Sequence, residues 1–248
     1  MSILFDTNKE AIINPFGKCE VEIPKIAISC YTKKVTEELI QKYSGVILCE
    51  VSKTKIYKIN YQKKEIMVFT SPVGAPWATM VLEDLISLGL KTVIYFGSCG
   101  VLDSTNEYEI LIPVKSRREE GTSYHYIKDN KYIDINPKYK DNFVKILTKN
   151  QINFRLCHTW TTDAPYRETK RKIRKFIKEG ITTVEMEASA LSAIGIYRNI
   201  DVFIFFYAAD SLAKLELDKR CLGEEIIDKK MFYAILALDL AVSIINDV

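Results

Sequence analysis

The run Thr182-Thr183-Val184-Glu185-Met186-Glu187-Ala188-Ser189-Ala190-Leu191 puts two carboxylates around a methionine, where a β-branched run turns into a small-residue helix. Acids at such a junction suit the gripping of vicinal hydroxyls. Each hydroxyl offers a hydrogen-bond donor, and a carboxylate taken from water needs donors. On a helix starting near Glu185, Glu187 shares a face with Ala190, Leu191 and Ile194 and therefore points inward. A plainer reading also fits: both glutamates favour the positive end of the helix dipole.

Two other segments carry chemistry-bearing residues. In Phe96-Gly97-Ser98-Cys99-Gly100, two glycines bracket Ser98 and Cys99, so backbone N–H groups can approach an anion or a base closely. The spacing matches neither GxGxxG nor GxxxxGKS/T, which argues against a Rossmann dinucleotide site or a P-loop. A Cys99 nucleophile paired with His125 or His158 lacks any oriented third member. Asp210 ends the apolar run Val202–Ala209, where burial would raise its pKa toward a general-acid range. The alternative is a turn or cap aspartate before Ser211. The cations Arg167, Lys170, Arg171, Lys172, Arg174, Lys175 and Lys178 read as a solvated helix face, though they follow Thr161–Tyr166, where an anionic ligand could lie.

The elements that must position these residues alternate. Strands are expected over Lys25–Cys30, Val46–Val51, Ile56–Tyr61, Glu65–Thr70, Thr92–Phe96, Glu109–Lys115, Asn153–Thr159 and Val202–Ala208. Helices are expected over Lys33–Tyr43, Pro76–Leu88, Pro137–Lys149, Glu168–Lys178, Glu185–Tyr197 and Gly223–Asn246. In the second helix Ala78, Val81, Leu82 and Leu85 follow the i, i+3, i+4, i+7 pattern, Pro76 suits the first turn, and Gly89 stops it. The alternation argues for an α/β fold: a single three-layer α/β/α domain over residues 1–248 with a mixed sheet, whose ligands collect at strand C-terminal ends.

Composition narrows the function. At 248 residues the chain can bury a sizeable core, and a net charge of +3 is too small to argue for nucleic acid. The six cysteines contain no CxxC pair and, with no visible signal peptide, read as reduced thiols of a cytoplasmic protein. His125 and His158 lack metal-ligand spacing, so no metal is expected. The apolar stretch Met231–Ile245 contains Asp239 and is too short to span a bilayer, so no membrane partner is expected.

Taken together, these segments resemble the nucleoside phosphorylase-I family of purine nucleoside and uridine phosphorylases and related nucleosidases, with uridine phosphorylase-like members nearest in character. Gly74-Ala75-Pro76, a helix, a strand and Gly97-Ser98-Cys99-Gly100 look like the family's central motif. Val184-Glu185-Met186-Glu187-Ala188 looks like its ribose motif, and Ala209-Asp210-Ser211 like its catalytic-acid segment. Arg118-Glu119-Glu120-Gly121-Thr122-Ser123-Tyr124-His125-Tyr126 is similar to the uridine phosphorylase segment that follows.

The resemblance implies a central mixed, barrel-like sheet and assembly as a homodimer or hexamer with shared sites. It implies cleavage of an N-glycosidic bond, phosphate being the co-substrate and no cofactor being needed. In that reading Glu187, Met186 and Glu185 hold ribose, Cys99, Gly100, Tyr166 and Arg171 line the base, and Asp210 serves the leaving base. Ser98, Lys34 and Arg118 would hold phosphate. The departures lie at the phosphate end. The Gly-Asp-Pro-x-Arg motif is replaced by Ser29-Cys30-Tyr31-Thr32-Lys33-Lys34. The arginine before the Gly-Ser-Cys-Gly loop is Tyr95, the arginine lent by a neighbour falls near Ser52 or Lys53, and the early histidine appears as Asn14. Hydrolysis by water, with a nucleoside or nucleotide substrate, and a non-catalytic nucleoside binder are the competing readings.

Overall fold

A computed structural model describes residues 4–8, 10–128, 130–222 and 226–247. Ten strands form one mixed sheet: β1 (Ile26–Cys30), β2 (Val46–Val51), β3 (Thr54–Tyr61), β4 (Lys64–Thr70), β5 (Thr92–Val101), β6 (Ile110–Glu119), β7 (Tyr132–Asp134), β8 (Phe154–Thr162), β9 (Thr183–Glu185) and β10 (Asp201–Ser211). The helices are α1 (Lys33–Lys42), α2 (Ala75–Ser87), α3 (Ser123–Tyr126), α4 (Lys140–Lys149), α5 (Lys170–Lys178), α6 (Ala188–Arg198) and α7 (Ile227–Asn246). The predicted start of the last helix at Gly223 lies outside the described residues.

The sheet closes on itself. β5 pairs with β10, β10 with β6, β6 with β8, β8 with β9, and β9 again with β5, making a five-stranded barrel. A wing of β1, β4, β3 and β2 extends from β5. Closure removes the strand edges that an open sheet would leave unpaired.

One strand makes both halves possible. The first half of β5 pairs with β1, from Ile26–Thr92 to Cys30–Phe96, while Gly100 and Val101 pair with β9. The expectation that the strand ends at Phe96 is therefore corrected. Gly97-Ser98-Cys99-Gly100 remains extended, and its glycines answer close approach, not a loop. A Cβ on Gly97 would stand 2.7 Å from the Tyr31 ring, and one on Gly100 would stand 3.0 Å from Val184 and 3.1 Å from Asp210 Oδ2.

Helices cover both faces. Tyr233, Ala234, Leu236, Ala237, Leu238, Leu240 and Ala241 of α7 pack with Ile28, Ile94, Phe96, Phe203 and Phe205, so this helix is core. On the other face Ala78, Val81, Leu82 and Leu85 of α2 join Ala188, Leu191 and Ile194 of α6. The apolar side of α5 supplies Ile173 and Phe176 to a third cluster with Trp160 and Val184, and the Trp160 and Phe176 rings meet edge to face at 4.6 Å. The predicted start of α4 at Pro137 moves to Lys140, because Tyr139 adopts a left-handed φ of 66°. β7 and β9, three residues each, are too short to carry an alternation signal.

Candidate functional site

The acidic run sits where β9 hands over to α6, and its local structure differs from the expectation. The helix begins at Ala188, not Glu185, because Glu185 still pairs as a strand residue opposite Thr161. The Glu185 carboxylate turns back over the helix start. It accepts the N–H groups of Glu187 (2.8 Å) and Ala188 (2.6 Å) and the hydroxyls of Thr161 (2.6 Å) and Thr159 (3.2 Å). Four protein donors satisfy it, so the helix-end reading holds for Glu185 and leaves it little capacity for a ligand.

Glu187 is different. It occupies the N-cap position of α6 with φ −137° and is 7% exposed, so it faces inward through the cap geometry and not through a helix face. The Gly74 N–H donates to its Oε1 at 2.6 Å. Gly74 stands at φ 97°, a conformation that favours glycine, and so aims its N–H at the acid just before α2. Burial, with the negative charge of Glu185 adding to it, pushes the Glu187 pKa up to about 8 against the Gly74 hydrogen bond. Met186 is half-buried between the two acids.

The other end of the site is built on β5 and β10. A register shift between Ala208 and Asp210 sets Asp210 opposite Gly100, with its carboxylate over that glycine. Burial raises the Asp210 pKa, opposed by its own N–H and by Arg220. Cys99 is buried beside it, and its thiol is pushed well above the usual range by desolvation, with Cys157 and Asp210 adding to the effect. A thiol held neutral is a wall, not a nucleophile.

Glu168 joins Asp210 without having been expected. It is half-buried after the turn Pro165–Arg167, and burial followed by the charge of Asp210 lifts its pKa to about 7, against Lys172. The only sequence signal was an acid standing alone among cations.

The structure does not bring four of the expected residues to the site. Tyr166 is 99% exposed. Arg171 lies on the outer face of α5 beside Arg174, Lys175 and Lys178. Lys34 is on the exposed side of α1. Arg118 is buried, and its guanidinium donates to Ser123 Oγ and to the carbonyls of Ile127, Lys128 and Asn130 while stacking on Tyr124. It organises its own loop, which Glu120 ties to α6 by accepting from Ser189 Oγ at 2.8 Å. Arg118→Ala is expected to destabilise by roughly 2–4 kcal/mol, since it strands those carbonyls. Urea denaturation checks it.

Ser98 is exposed on β5 opposite Tyr207, whose hydroxyl it hydrogen-bonds. Tyr95, where an arginine was sought, is fully buried, stacked near Tyr31 with ring centres 6.4 Å apart, and its hydroxyl has no hydrogen-bond partner among the described residues. Tyr95→Phe should therefore leave thermal stability unchanged or slightly raised. A cavity of about 710 Å³ lies to one side, between α2 and the N-terminal segment. Asn14 and Ser52 line it, whereas Glu187 and Asp210 do not.

The chain has relatives among known proteins in sequence and in fold. The chain is 25% identical over 144 residues to a guanosine phosphorylase of Halorubrum lacusprofundi, covering 56% of this chain and 58% of that protein. It is 28% identical over 153 residues to the uncharacterized protein R802 of Acanthamoeba polyphaga mimivirus, covering 61% and 59%. The matched region thus spans less than two thirds of the length of either relative. The fold matches a crystal structure of uridine phosphorylase from Vibrio fischeri ES114 with a TM-score of 0.77 at 20% identity, covering 88% of this chain and 92% of that one. It also matches purine nucleoside phosphorylase from Toxoplasma gondii with a TM-score of 0.76 at 17% identity, covering 88% and 90%. A family model described as the phosphorylase superfamily matches residues 25–240, and with most of its length inside that match the chain belongs to the phosphorylase superfamily.

Proposed function

We propose that the protein cleaves the N-glycosidic bond of a purine or pyrimidine ribonucleoside, with phosphate as the nucleophile. One observation carries the reading: a carboxylate with spare acceptor capacity (Glu187), whose charge bears on Tyr95 of β5, and a protonatable acid (Asp210) over Gly100 of the same strand. Breaking such a bond develops cationic character on the ribosyl carbon and negative charge on the leaving base. Glu187 accepts from the ribose hydroxyls, Met186 packs on the sugar, Gly100 and Cys99 line the base, and Asp210 delivers a proton or hydrogen bond to it. Ser98 contributes a hydroxyl to the anion. The guanosine, purine nucleoside and uridine phosphorylases named above support this chemistry by kinship, and leave both base classes open for this chain.

Because burial holds Glu187 near pKa 8, ribose hydroxyls that hydrogen-bond its charged form should pull that value down. Nucleoside binding at pH 7 is therefore expected to release a proton. Calorimetry in buffers of different ionisation enthalpy measures it, and binding without proton release contradicts the assignment of Glu187 to the sugar.

A second reading, hydrolysis by water, is favoured by Tyr95 standing where an arginine was expected and by the commitment of Arg118 to its loop. Incubation with a panel of nucleosides and nucleotides, with and without phosphate, separates the two. Phosphorolysis requires phosphate and yields base plus ribose 1-phosphate; release of base and free ribose without phosphate selects the second reading.

A further inference from the structure

The anion end of the site lacks an arginine, yet a cation reaches it from an element that sequence read only as core. Lys230, in the first turns of α7, is half-buried and lines a small cavity of about 30 Å³ together with Ser98, Tyr207, Tyr108 and Tyr233. Its ammonium lies close enough to the end of β1 to oppose, by its charge, the rise in the Cys30 pKa. Among the described residues it makes no ion pair with a carboxylate. Its neighbour Lys229 does not line the cavity but lies over the ring of Tyr108, one of the cavity's walls, at 3.3 Å.

The cavity therefore combines a hydrogen-bonded hydroxyl pair, Ser98 and Tyr207, which keeps one proton to donate, with a cation that no described acid neutralises. That is the chemistry a phosphoryl oxyanion needs. The cavity lies between the end of β1, the start of α7 and Ser98 on β5, the strand that also carries Gly100 under Asp210. The cavity admits a water-sized group, and the wall that must swing for a tetrahedral anion is the flexible four-carbon stem of Lys230.

We propose that Lys230, with the hydroxyls of Ser98 and Tyr207, forms the subsite for inorganic phosphate. The assignment rests on the glycosidic-cleavage reading and supplies the charge that reading otherwise lacks. A lysine provides a point charge in place of a bidentate fork, so the site tolerates looser geometry than an arginine clamp.

The test compares wild type, Lys230→Gln and Lys230→Arg in two assays. One is calorimetric titration with inorganic phosphate; the other is the dependence of base release on phosphate concentration. Lys230→Gln should weaken phosphate binding and raise the phosphate KM about tenfold or more, with nucleoside KM within about twofold. Lys230→Arg should restore most of the loss. Phosphate binding lost in Lys230→Gln, by a wild type that cleaves no nucleoside, would uphold the subsite and overturn the proposed function. Phosphate-dependent base release unchanged in Lys230→Gln would overturn the subsite and leave the function standing. A wild type that does not bind phosphate at millimolar concentration also overturns it. So does a Lys230→Gln effect confined to the KM of a nucleoside 5′-monophosphate, since the anion would then be the substrate's own.

Discussion

Glu187→Gln is expected to lose at least about a hundredfold in base release and yet to melt at a higher temperature than wild type at pH 8. Both effects come from the same burial. The carboxylate is 7% exposed, and burial with the charge of Glu185 outweighs the backbone donors Gly74 and Met186, so its pKa rises from 4.5 to about 8. Between those values the folded protein keeps a proton that the unfolded chain has released, so stability falls as pH rises through this window. A glutamine keeps an acceptor for Gly74 and carries no charge to desolvate. The gain in melting temperature should therefore be small near pH 4.5 and grow to several degrees by pH 8, at roughly 2–4 °C per kcal/mol for a chain of this size. Paired melting curves across that range measure it. The lost rate follows because an amide holds developing positive charge on the sugar far less well than a carboxylate. A variant less stable at pH 8 than at pH 5, relative to wild type, would remove the buried-charge explanation.

Asp210→Asn should reduce base release by about 10²–10⁴-fold while nucleoside binding changes little. The aspartate lies over Gly100, where only a glycine leaves room, and burial raises its pKa. An asparagine keeps the shape and loses the transferable proton. Glu168 reports on the same change. Its pKa of about 7 owes part of its rise to the charge of Asp210, so the variant should move it down. In wild type, base release should fall as pH rises through about 7, since the proton needed by the leaving base is then lost from this pair. The pH–rate profiles of wild type and Glu168→Gln check this, and identical profiles would detach Glu168 from the reaction.

Most strands were legible as apolar runs bounded by turns, and the long strand β10 ends at the acid that the sequence singled out; the barrel-like closure was implied only by the family resemblance, and the wing had no sequence signal. What escaped notice has physical reasons. Gly97-Ser98-Cys99-Gly100 reads as a loop because glycine signals turns, yet here the glycines admit the Tyr31 ring and the Asp210 carboxylate to an extended strand. Glu185 and Glu187 look alike in sequence. Only the pairing of β9 with β8 decides that one caps a helix and the other keeps room for a ligand. Arg118 carries the residue type a phosphate site calls for, but four acceptors in and beside its own loop claim it. Lys230 had no signal at all. It is one cation in a segment whose apolar residues mark it as core, and it shares a cavity with Ser98 only because α7 packs against β5.

The central claim is that Glu187 and Asp210 serve the two ends of one N-glycosidic bond. The most direct measurement is chromatographic release of free base from a ribonucleoside panel by wild type, Glu187→Gln and Asp210→Asn under identical conditions with phosphate. Base release by wild type that collapses in both variants is the predicted result. Release that neither substitution changes, or no release at all by folded wild-type protein, would contradict it.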